Sequence, residues 1–346
     1  MLQLRSLPYA TLLLALVGCG TAALAPRPAV SPPAPPTSAP AEDPLGASAL
    51  MRDVGYLAGP ELRGRASASA DEARAAAWLE QQTTAAGLGP LAGVRVQPFT
   101  AGAYGTSRNV IAVLDAQRPI DERVVVVGAH YDHEGVKDGA TYWGADDNAS
   151  GTAVILGVAR ALARRPERVG RRVVFVFFGA EEKGLLGSFA FMASKLLPPE
   201  RIVAMINSDM LGRPLQDQPA FRFAEKLVGI DAEHSIGVAG TDKWPWLDVI
   251  VREACAAEGQ RAVGVRDLPE IMRPAAIRAT TGRSDHYPFE QADIPSMIFS
   301  SGESVDYHQP TDKPETLRPD LLATRARIVL RTVEAVSHAR VPQHVP

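Results

Sequence analysis

Residues 171–184 read RRVVFVFFGAEEKG, a continuous apolar run that ends on two adjacent carboxylates. A run of this kind predicts a short β-strand whose two faces are both covered by other parts of the protein. Charged side chains are seldom buried unless they are paired or bind a metal, so the position of Glu181 and Glu182 needs an explanation. A functional role for this pair predicts further polar side chains at the ends of other strands.

Predicted strands and helices alternate along the remainder of the chain. Further strands are predicted in residues 106–116, 123–130, 201–210 and 294–302. Helices are predicted in residues 69–87, 150–165, 185–197, 245–259 and 318–339. This alternation predicts an α/β fold, a three-layer sandwich in which a mostly parallel, mixed central sheet carries helices on both faces. Ligands of such folds bind outside the carboxyl ends of the strands.

The N-terminal residues are predicted to direct export rather than to fold. Residues 1–18 combine Arg5 with an apolar stretch too short to cross a membrane, as in a secretory signal peptide. The stretch ends in LVGC, which resembles the lipobox of bacterial lipoproteins and predicts that Cys19 becomes a lipidated N-terminus. The alternative is an ordinary signal peptide with a chance cysteine. Residues 19–45 are rich in proline and alanine and predict an extended tether.

Composition limits the possible partners and the compartment. The chain has 346 residues and a net charge of −3, so no basic field favours nucleic acid. Residues 46–340 predict one domain with a large core. Apart from Cys19 the only cysteine is Cys255, so no disulfide within the chain is expected. We expect an exported protein that is lipid-anchored to the cell envelope, at the outer membrane because Gly20 follows Cys19, without an obligate protein partner.

Polar side chains do follow the other predicted strands. His130 is the last residue of the strand predicted in residues 123–130, and Asp132 follows it. Asp209 lies at the end of the strand predicted in residues 201–210. His308 follows the last strand. A glycine-flanked turn before the helix at residues 150–165 contains Asp146 and Asp147. Each residue alone is more typical of a structural histidine or a helix cap, but their coincidence at one sheet edge predicts a site.

Imidazoles and carboxylates without a thiolate cluster are the ligands of Zn²⁺ or a similar divalent ion. One bridging carboxylate, two histidines and two further carboxylates give each of two metals three protein ligands and an open position. Two metals about 3.5–4 Å apart suit hydrolysis. Asp132 is expected to accept the other imidazole N–H of His130. One residue of the Glu181–Glu182 pair is expected to bind metal and the other to act as a base. The residues alone do not decide which glutamate binds metal and which is the base. They also do not decide whether Asp146 or Asp147 bridges the two metals.

Six motifs resemble those of one known family. In chain order they are GAHYDHEG, GADDNASG, GAEEKGLLGS, NSDMLGR, SDHYPF and DYHQPTD, between residues 128 and 312. Together they resemble the co-catalytic zinc aminopeptidases of bacteria, to which glutamate carboxypeptidases and glutaminyl cyclases are related. The resemblance covers roughly residues 46–336, including a segment, YLAGPELRGR, that precedes the first predicted helix. It implies the zinc exopeptidase fold and two zinc ions per chain.

The resemblance also assigns roles to the site residues. It makes Asp147 the bridging ligand and Glu181 the general base. It makes Asp132 the partner of a ligating imidazole, and Tyr307 a donor to the oxyanion unless that tyrosine merely packs in its loop. The remaining metal ligands that it implies are His130, Glu182, Asp209 and His308. The ion that Glu182 serves stays open at this point.

Four further residues remain outside this ligand set. Asp285 is a candidate for contact with the substrate, or alternatively caps a turn. His133 is expected to be exposed to solvent or to support the ligands from behind. Trp244 is expected either to line the substrate pocket, which we place at residues 214–282, or to pack elsewhere, and the same holds for Trp246.

The predicted function is therefore removal of N-terminal residues from peptides, by a water that bridges the metals and with Glu181 as general base. Alternatives are a glutaminyl cyclase-like acyltransferase with one zinc, a carboxypeptidase of the same fold, and a lipid-anchored binding protein with a structural zinc. A carboxypeptidase needs a cation for the substrate carboxylate, and four arginines are candidates: Arg213, Arg273, Arg278 and Arg283. A structural zinc normally has four protein ligands, which argues against the binding protein.

Overall fold

The computed structural model describes residues 42–215 and 229–341. The chain from Glu42 onward forms one compact unit. The predicted signal peptide, Cys19 and most of the predicted tether lie outside the described residues. Pro44 and Leu45 were assigned to the tether, but both are buried, and Leu45 packs into the core. The folded unit therefore begins a few residues earlier than its composition indicates.

Eight strands form one mixed sheet in the order β1-β2-β6-β3-β7-β10-β8-β9. The strands β6, β3, β7 and β10 in its centre are parallel to one another, and β2 and β8 flank them in antiparallel orientation. A separate hairpin consists of β4 and β5. The bounds are β1 Val96–Thr100, β2 Thr106–Leu114, β3 Val124–His130, β4 Gly135–Lys137, β5 Ala140–Tyr142, β6 Arg172–Phe178, β7 Ile202–Ser208, β8 Ser235–Ala239, β9 Arg261–Val263 and β10 Ser296–Ser300.

Helices cover both faces of the sheet, as the alternation of elements predicts. The bounds are α1 Ala47–Leu57, α2 Ala70–Ala85, α3 Gly151–Ala163, α4 Leu186–Ala193, α5 Pro245–Ala257, α6 Arg273–Thr280, α7 Tyr287–Gln291 and α8 Pro319–His338. Helices α1, α2, α3, α5 and α8 contribute to the larger core, and α4 and α7 contribute to a smaller one. The three-layer α/β sandwich is thus confirmed.

The two cores are separated by the alternation of side chains along the central strands. In β3, Val125 and Val127 pack into the larger core, while Val124 and Val126 pack into the smaller one. The same alternation holds in β6, whose residues are buried on both faces. Continuous apolar runs in the sequence therefore belong to strands that lie between two layers of helices.

All strands and helices predicted from the sequence are present within the described residues. Helix α2 begins at Ser69, whose hydroxyl accepts hydrogen bonds from the backbone N–H groups of Asp71 and Glu72. The prediction omitted short or weakly patterned elements, namely β1, β8, β9, the β4–β5 hairpin, α1, α6 and α7. Strands of three to five residues have too few positions to show a clear periodicity. No helix in the described part of the chain is long and apolar enough to span a membrane.

Candidate metal centre

The site lies where the central parallel strands end. His130 is the last residue of β3, Glu181 and Glu182 follow β6 in a single helical turn, and Asp209 follows β7. The fourth central strand, β10, leads into the loop that carries His308. Because parallel strands present their carboxyl ends at one edge, these segments converge, and the turn at Ala145–Ser150 brings Asp147 between them.

A first group of possible metal ligands consists of His130, Asp147 and Asp209. The Nε2 atom of His130 lies 3.4 Å from Oδ1 of Asp147 and 3.3 Å from Oδ1 of Asp209. All three residues are buried. The hydroxyl of Ser284 donates a 2.7 Å hydrogen bond to the other carboxylate oxygen of Asp209 and so fixes its orientation.

A second group shares Asp147 and adds Glu182, His308 and His133. The Nε2 atom of His308 lies 3.1 Å from both Oδ2 of Asp147 and Oε2 of Glu182. The two oxygens of Asp147 thus face different histidines, one in each group. This is the arrangement that a bridging carboxylate requires, and it places Glu182 with His308 rather than with His130.

The geometry and chemistry of both groups fit divalent metal ions. Ligands of a tetrahedral Zn²⁺ at 2.0–2.1 Å are separated by about 3.3 Å, which is close to the distances within each group. Oδ2 of Asp147 is buried, and no neighbour makes a well-oriented hydrogen bond to it. Converging imidazole nitrogens and carboxylate oxygens, without thiolates in either group, are a donor set that suits Zn²⁺.

The charges at the site also favour cations. Burial opposes protonation of the two ligand histidines, but neighbouring carboxylates outweigh it and raise the pKa of His308 to about 10 and that of His130 well above its usual value. Burial and Asp147 oppose ionisation of Glu182, yet His133 and His308 lower its pKa to about 2. The carboxylates therefore stay ionised only where positive charge is close.

Glu181 differs from Glu182 in its surroundings. Its Oε2 lies 4.0 Å from Nε2 of His130, beside the first ligand group rather than within it. Burial raises its pKa well above the usual value, an effect that His130 opposes and the carboxylates of Asp285 and Asp209 strengthen. A raised pKa suits a group that must accept and then release a proton near neutral pH.

Asp132 connects the histidine ligand to the glutamate pair. Its carboxylate lies 3.8 Å from Nδ1 of His130 and accepts hydrogen bonds from the backbone N–H groups of Glu181 and Glu182. The hydroxyl of Ser67 donates to the same carboxylate. The Nδ1 atom of His130 makes its hydrogen bond with the backbone carbonyl oxygen of Asp132, at 3.3 Å, so the expected bond to the Asp132 carboxylate is not formed. The carboxylate instead positions the two glutamates.

Backbone groups around Asp147 are held by two further residues. The buried guanidinium of Arg65 donates hydrogen bonds to five carbonyl oxygens, those of Leu57, Tyr131, Trp143, Gly144 and Asp147. Asp312 accepts from the backbone N–H groups of Asp146 and Asp147. Sequence reasoning missed both roles, although Arg65 lies in YLAGPELRGR and Asp312 closes DYHQPTD. The surrounding motif was the only indication.

Residues in the left-handed region of backbone conformation adjoin the site. Ala180, Met210 and His308 have φ angles of 51°, 57° and 53°. Residues other than glycine adopt this region at some cost, and they persist in it where the surrounding structure imposes it. Ala180 precedes the glutamate pair and Met210 follows Asp209, so these turns orient the neighbouring carboxylate side chains.

A cavity of about 430 Å³ opens onto the metal ligands and Glu181. Apolar side chains from β8, β9, β10, α6 and the turn that follows β9 form much of its lining: Val238, Val263, Val265, Ala276, Ala279 and Ile298. Tyr307 also lines it and stacks on the ring of His308 at 3.9 Å between centroids. Arg283 lies at the cavity and forms an ion pair with Glu303.

Several predictions about individual residues need correction or remain without support. His133 was expected either to be exposed or to support the ligands from behind; it is fully buried, so the first alternative is wrong, and its Nδ1 lies within the second group. Asp285 is fully buried and does not line the cavity, so its position does not fit contact with substrate. Trp244 and Trp246 pack against the larger core instead of lining the cavity. The lining also extends beyond residues 214–282, because β10 and Tyr307 contribute to it.

Comparison with known proteins agrees with this class of fold and site. The aminopeptidase YwaD of Bacillus subtilis is 30% identical over 250 residues, which span 69% of this chain and 47% of that protein. The probable lipoprotein aminopeptidase LpqL of Mycobacterium tuberculosis is 32% identical over 200 residues, 58% of this chain and 35% of that protein. The matches thus span half or less of these relatives.

Solved structures share the fold at low sequence identity. The aminopeptidase from Aneurinibacillus sp. strain AM-1 superimposes with a TM-score of 0.64 at 18% identity, over 84% of this chain and 94% of that one. The glutaminyl cyclase of Porphyromonas gingivalis gives 0.62 at 21% identity, over 84% and 99%. The sequence profile of peptidase family M28 matches residues 109–333. The chain belongs to peptidase family M28.

The role of Arg65 can be tested by the substitution Arg65→Lys. An ammonium has three donors, so at least two of the five carbonyl oxygens lose their partner. Each buried unsatisfied group costs about 1–3 kcal/mol, and we expect the metal-free protein to lose at least about 2 kcal/mol of unfolding free energy in urea. Arg63→Lys is the control, because Arg63 is exposed and its ion pair with Asp71 is worth little. Equal stability of the two variants would contradict this role.

Proposed function

We propose that this chain is a zinc-dependent aminopeptidase that hydrolyses the N-terminal peptide bond of peptides. The observation that carries the proposal is the placement of Asp147 between two groups of ligands, with Glu181 beside them and a cavity on the open side. Family membership supports a hydrolytic peptidase. The proposal assigns one ion to His130, Asp147 and Asp209, and a second to Asp147, Glu182 and His308.

The protein's own residues divide the chemical work between them. Divalent metal bound by these residues would polarise the scissile carbonyl and make water a stronger acid. Glu181 takes the proton of the attacking water and delivers it to the leaving amine. The hydroxyl of Tyr307 donates a hydrogen bond to the charge that develops on the carbonyl oxygen. Asp132 holds His130 through its backbone carbonyl oxygen and Glu181 through its carboxylate.

The surroundings of the arginines favour an aminopeptidase over a carboxypeptidase. Arg283 lines the cavity, but its guanidinium is engaged by Glu303. Arg213 forms ion pairs with Asp306 and Asp312 and does not line the cavity. Neither Arg273 nor Arg278 lines it either. Among the described residues of the lining, therefore, no cation without an acidic partner is available for a substrate carboxylate.

The cavity also indicates which substrates fit. Its wall of valine, alanine and isoleucine side chains removes apolar surface of a bound side chain from water, at about 25 cal/mol per Å². We therefore assign to the enzyme peptides whose first residue has an apolar side chain. A glutaminyl cyclase with one zinc is the alternative that shares the fold, and the complete second set of ligands argues against it.

The same proposal includes the location of the protein. Lipid on Cys19 would attach the protein to the bacterial cell envelope. The catalytic domain would then lie outside the cytoplasm and act on peptides there. The leader sequence, the cysteine at position 19 and the similarity to a relative named as a probable lipoprotein aminopeptidase support this location. The balanced charge of the chain gives no reason to expect nucleic acid as a partner.

The proposed reaction is tested with a matched pair of peptides, Leu-Ala-Ala and its N-acetylated form, on the protein beginning at Glu42. We expect about two zinc ions per chain by elemental analysis, and cleavage of the free-amine peptide alone, since carboxylates that line the cavity can bind a free amine but not an acetylated one. A chelator should remove zinc and abolish activity, and added zinc should restore both. One zinc with no hydrolysis would favour the cyclase, and cleavage of the acetylated peptide would favour a carboxypeptidase.

The different roles of the two glutamates are tested by Glu181→Gln and Glu182→Gln. Removal of the general base should lower kcat by roughly 10²–10⁴-fold while zinc content stays unchanged. Glu182→Gln should lose zinc as well as activity, because the amide is a poor ligand. Exposed Glu61→Gln serves as the control and should match the wild type. Full activity in both site variants, or zinc loss in Glu181→Gln alone, would show that the roles are wrongly assigned.

A further inference from the structure

His133 is a buried histidine whose ring faces the second group of ligands. Its Nδ1 lies 2.9 Å from Oε1 of Glu182 and 3.8 Å from Oδ2 of Asp147. Its ring centroid lies 5.7 Å from that of His308, with the planes at 70°. Two imidazoles therefore approach the same pair of carboxylates from different directions.

The backbone around His133 makes room for this ring and fixes it. The N–H of His133 donates to the carbonyl oxygen of Arg65, the residue that also holds the turn of Asp147. A Cβ atom at position 144 would lie 2.4 Å from Cγ of His133, so only Gly144 leaves space for the imidazole. Two segments of the site, those of Arg65 and Gly144, thus determine where the ring of His133 lies.

The four donor atoms of this group have the spacing of a tetrahedral site. The ligand atoms of His133, Asp147, Glu182 and His308 all lie within 4.8 Å of one another. Nδ1 of His133 and Nε2 of His308 lie 3.8 and 3.1 Å from Oδ2 of Asp147, and 2.9 and 3.1 Å from different oxygens of Glu182, Oε1 and Oε2. These distances lie on both sides of the value of about 3.3 Å for ligands of zinc. Nδ1 of His133 thus lies near enough to the other three donors to share one ion with them.

We propose that His133 is a direct ligand, through Nδ1, of the metal ion held by Asp147, Glu182 and His308. This inference rests on the two-metal site of the proposed function. It makes the two ions unequal, because one has four protein ligands and the other, at His130, Asp147 and Asp209, has three. The neutral imidazole adds a ligand without adding to the negative charge of the carboxylates. Four-ligand zinc sites are closed and three-ligand sites keep an open position, so the ion at His130 is the exchangeable one.

A simpler role for His133 would be to orient Glu182 by a hydrogen bond, and the substitution His133→Asn separates the two. The side-chain amide of asparagine places an N–H close to the position of Nδ1, so it can still donate to Glu182. It is a poor ligand for zinc. A variant that keeps the hydrogen bond but removes the ligand therefore affects metal binding only if His133 binds the ion.

We expect His133→Asn to weaken the tighter of the two zinc sites by roughly 100-fold or more, measured by competition with a chromogenic chelator. Loss of a residue that merely supports a ligand typically costs about 10–100-fold, so loss of a ligand should reach or exceed the upper end. The weaker site should change little. X-ray absorption of the wild type with one equivalent of zinc should show two imidazoles around the ion, and the variant should show one.

The controls distinguish failure of this inference from failure of the proposed function. His234→Asn changes an exposed histidine, outside both ligand groups and the cavity lining, and should leave both affinities unchanged. Wild type that binds only one zinc would overturn the two-metal site itself. Two zincs in the wild type with unchanged affinities in His133→Asn would overturn the role of His133 alone. If that variant does not fold, one imidazole per zinc in the half-loaded wild type would overturn it equally.

Discussion

The structure depends on concentrating negative charge at one buried edge of a sheet. Asp147, Glu182 and Asp209 converge there with Glu181, away from bulk water. Like charges in such surroundings repel and are poorly solvated, so they are tolerated only when cations or protons lie between them. The carboxylates outweigh the effect of burial and raise the pKa of His308, a further sign that this cluster favours positive charge. Two divalent ions would supply this positive charge.

The rest of the fold holds this charge cluster in place. The parallel strands of the centre deliver the ligands to one edge, and buried polar groups set their exact approach. Asp132 links His130 to the glutamate pair, while Arg65 and Asp312 hold the turn of Asp147 through its backbone. These contacts are all made within the protein itself. A site prepared in this way loses little freedom when it binds an ion or a substrate.

Much of this could be predicted from the sequence, because the central strands and their polar ends leave clear patterns. Continuous apolar runs identify β3 and β6, and the rule that ligands bind at strand ends brings His130, Asp209 and the glutamate pair together. The choice of Asp147 over Asp146 came only from family resemblance. The structure supplies its physical basis, since the two carboxylate oxygens of Asp147 face histidines of different groups.

Other features depend on contacts between distant segments, which local patterns do not contain. His133 follows a strand by three residues, and nothing in HYDH tells whether its ring turns inward. The space for it comes from Gly144, in another segment. Asp285 lies in a motif with polar character, yet it is buried behind the cavity instead of lining it. The apolar wall of the cavity comes from β8, β9 and α6, which are too short to show a period.

The most direct test of this account is an anomalous-scattering experiment at the zinc edge on crystals of the zinc-loaded domain. Two peaks should flank the carboxylate of Asp147 about 3.5–4 Å apart, one beside His130 and Asp209 and the other beside Glu182 and His308. A single peak, or two peaks of which neither contacts Asp147, would contradict the claim that this residue bridges two metals.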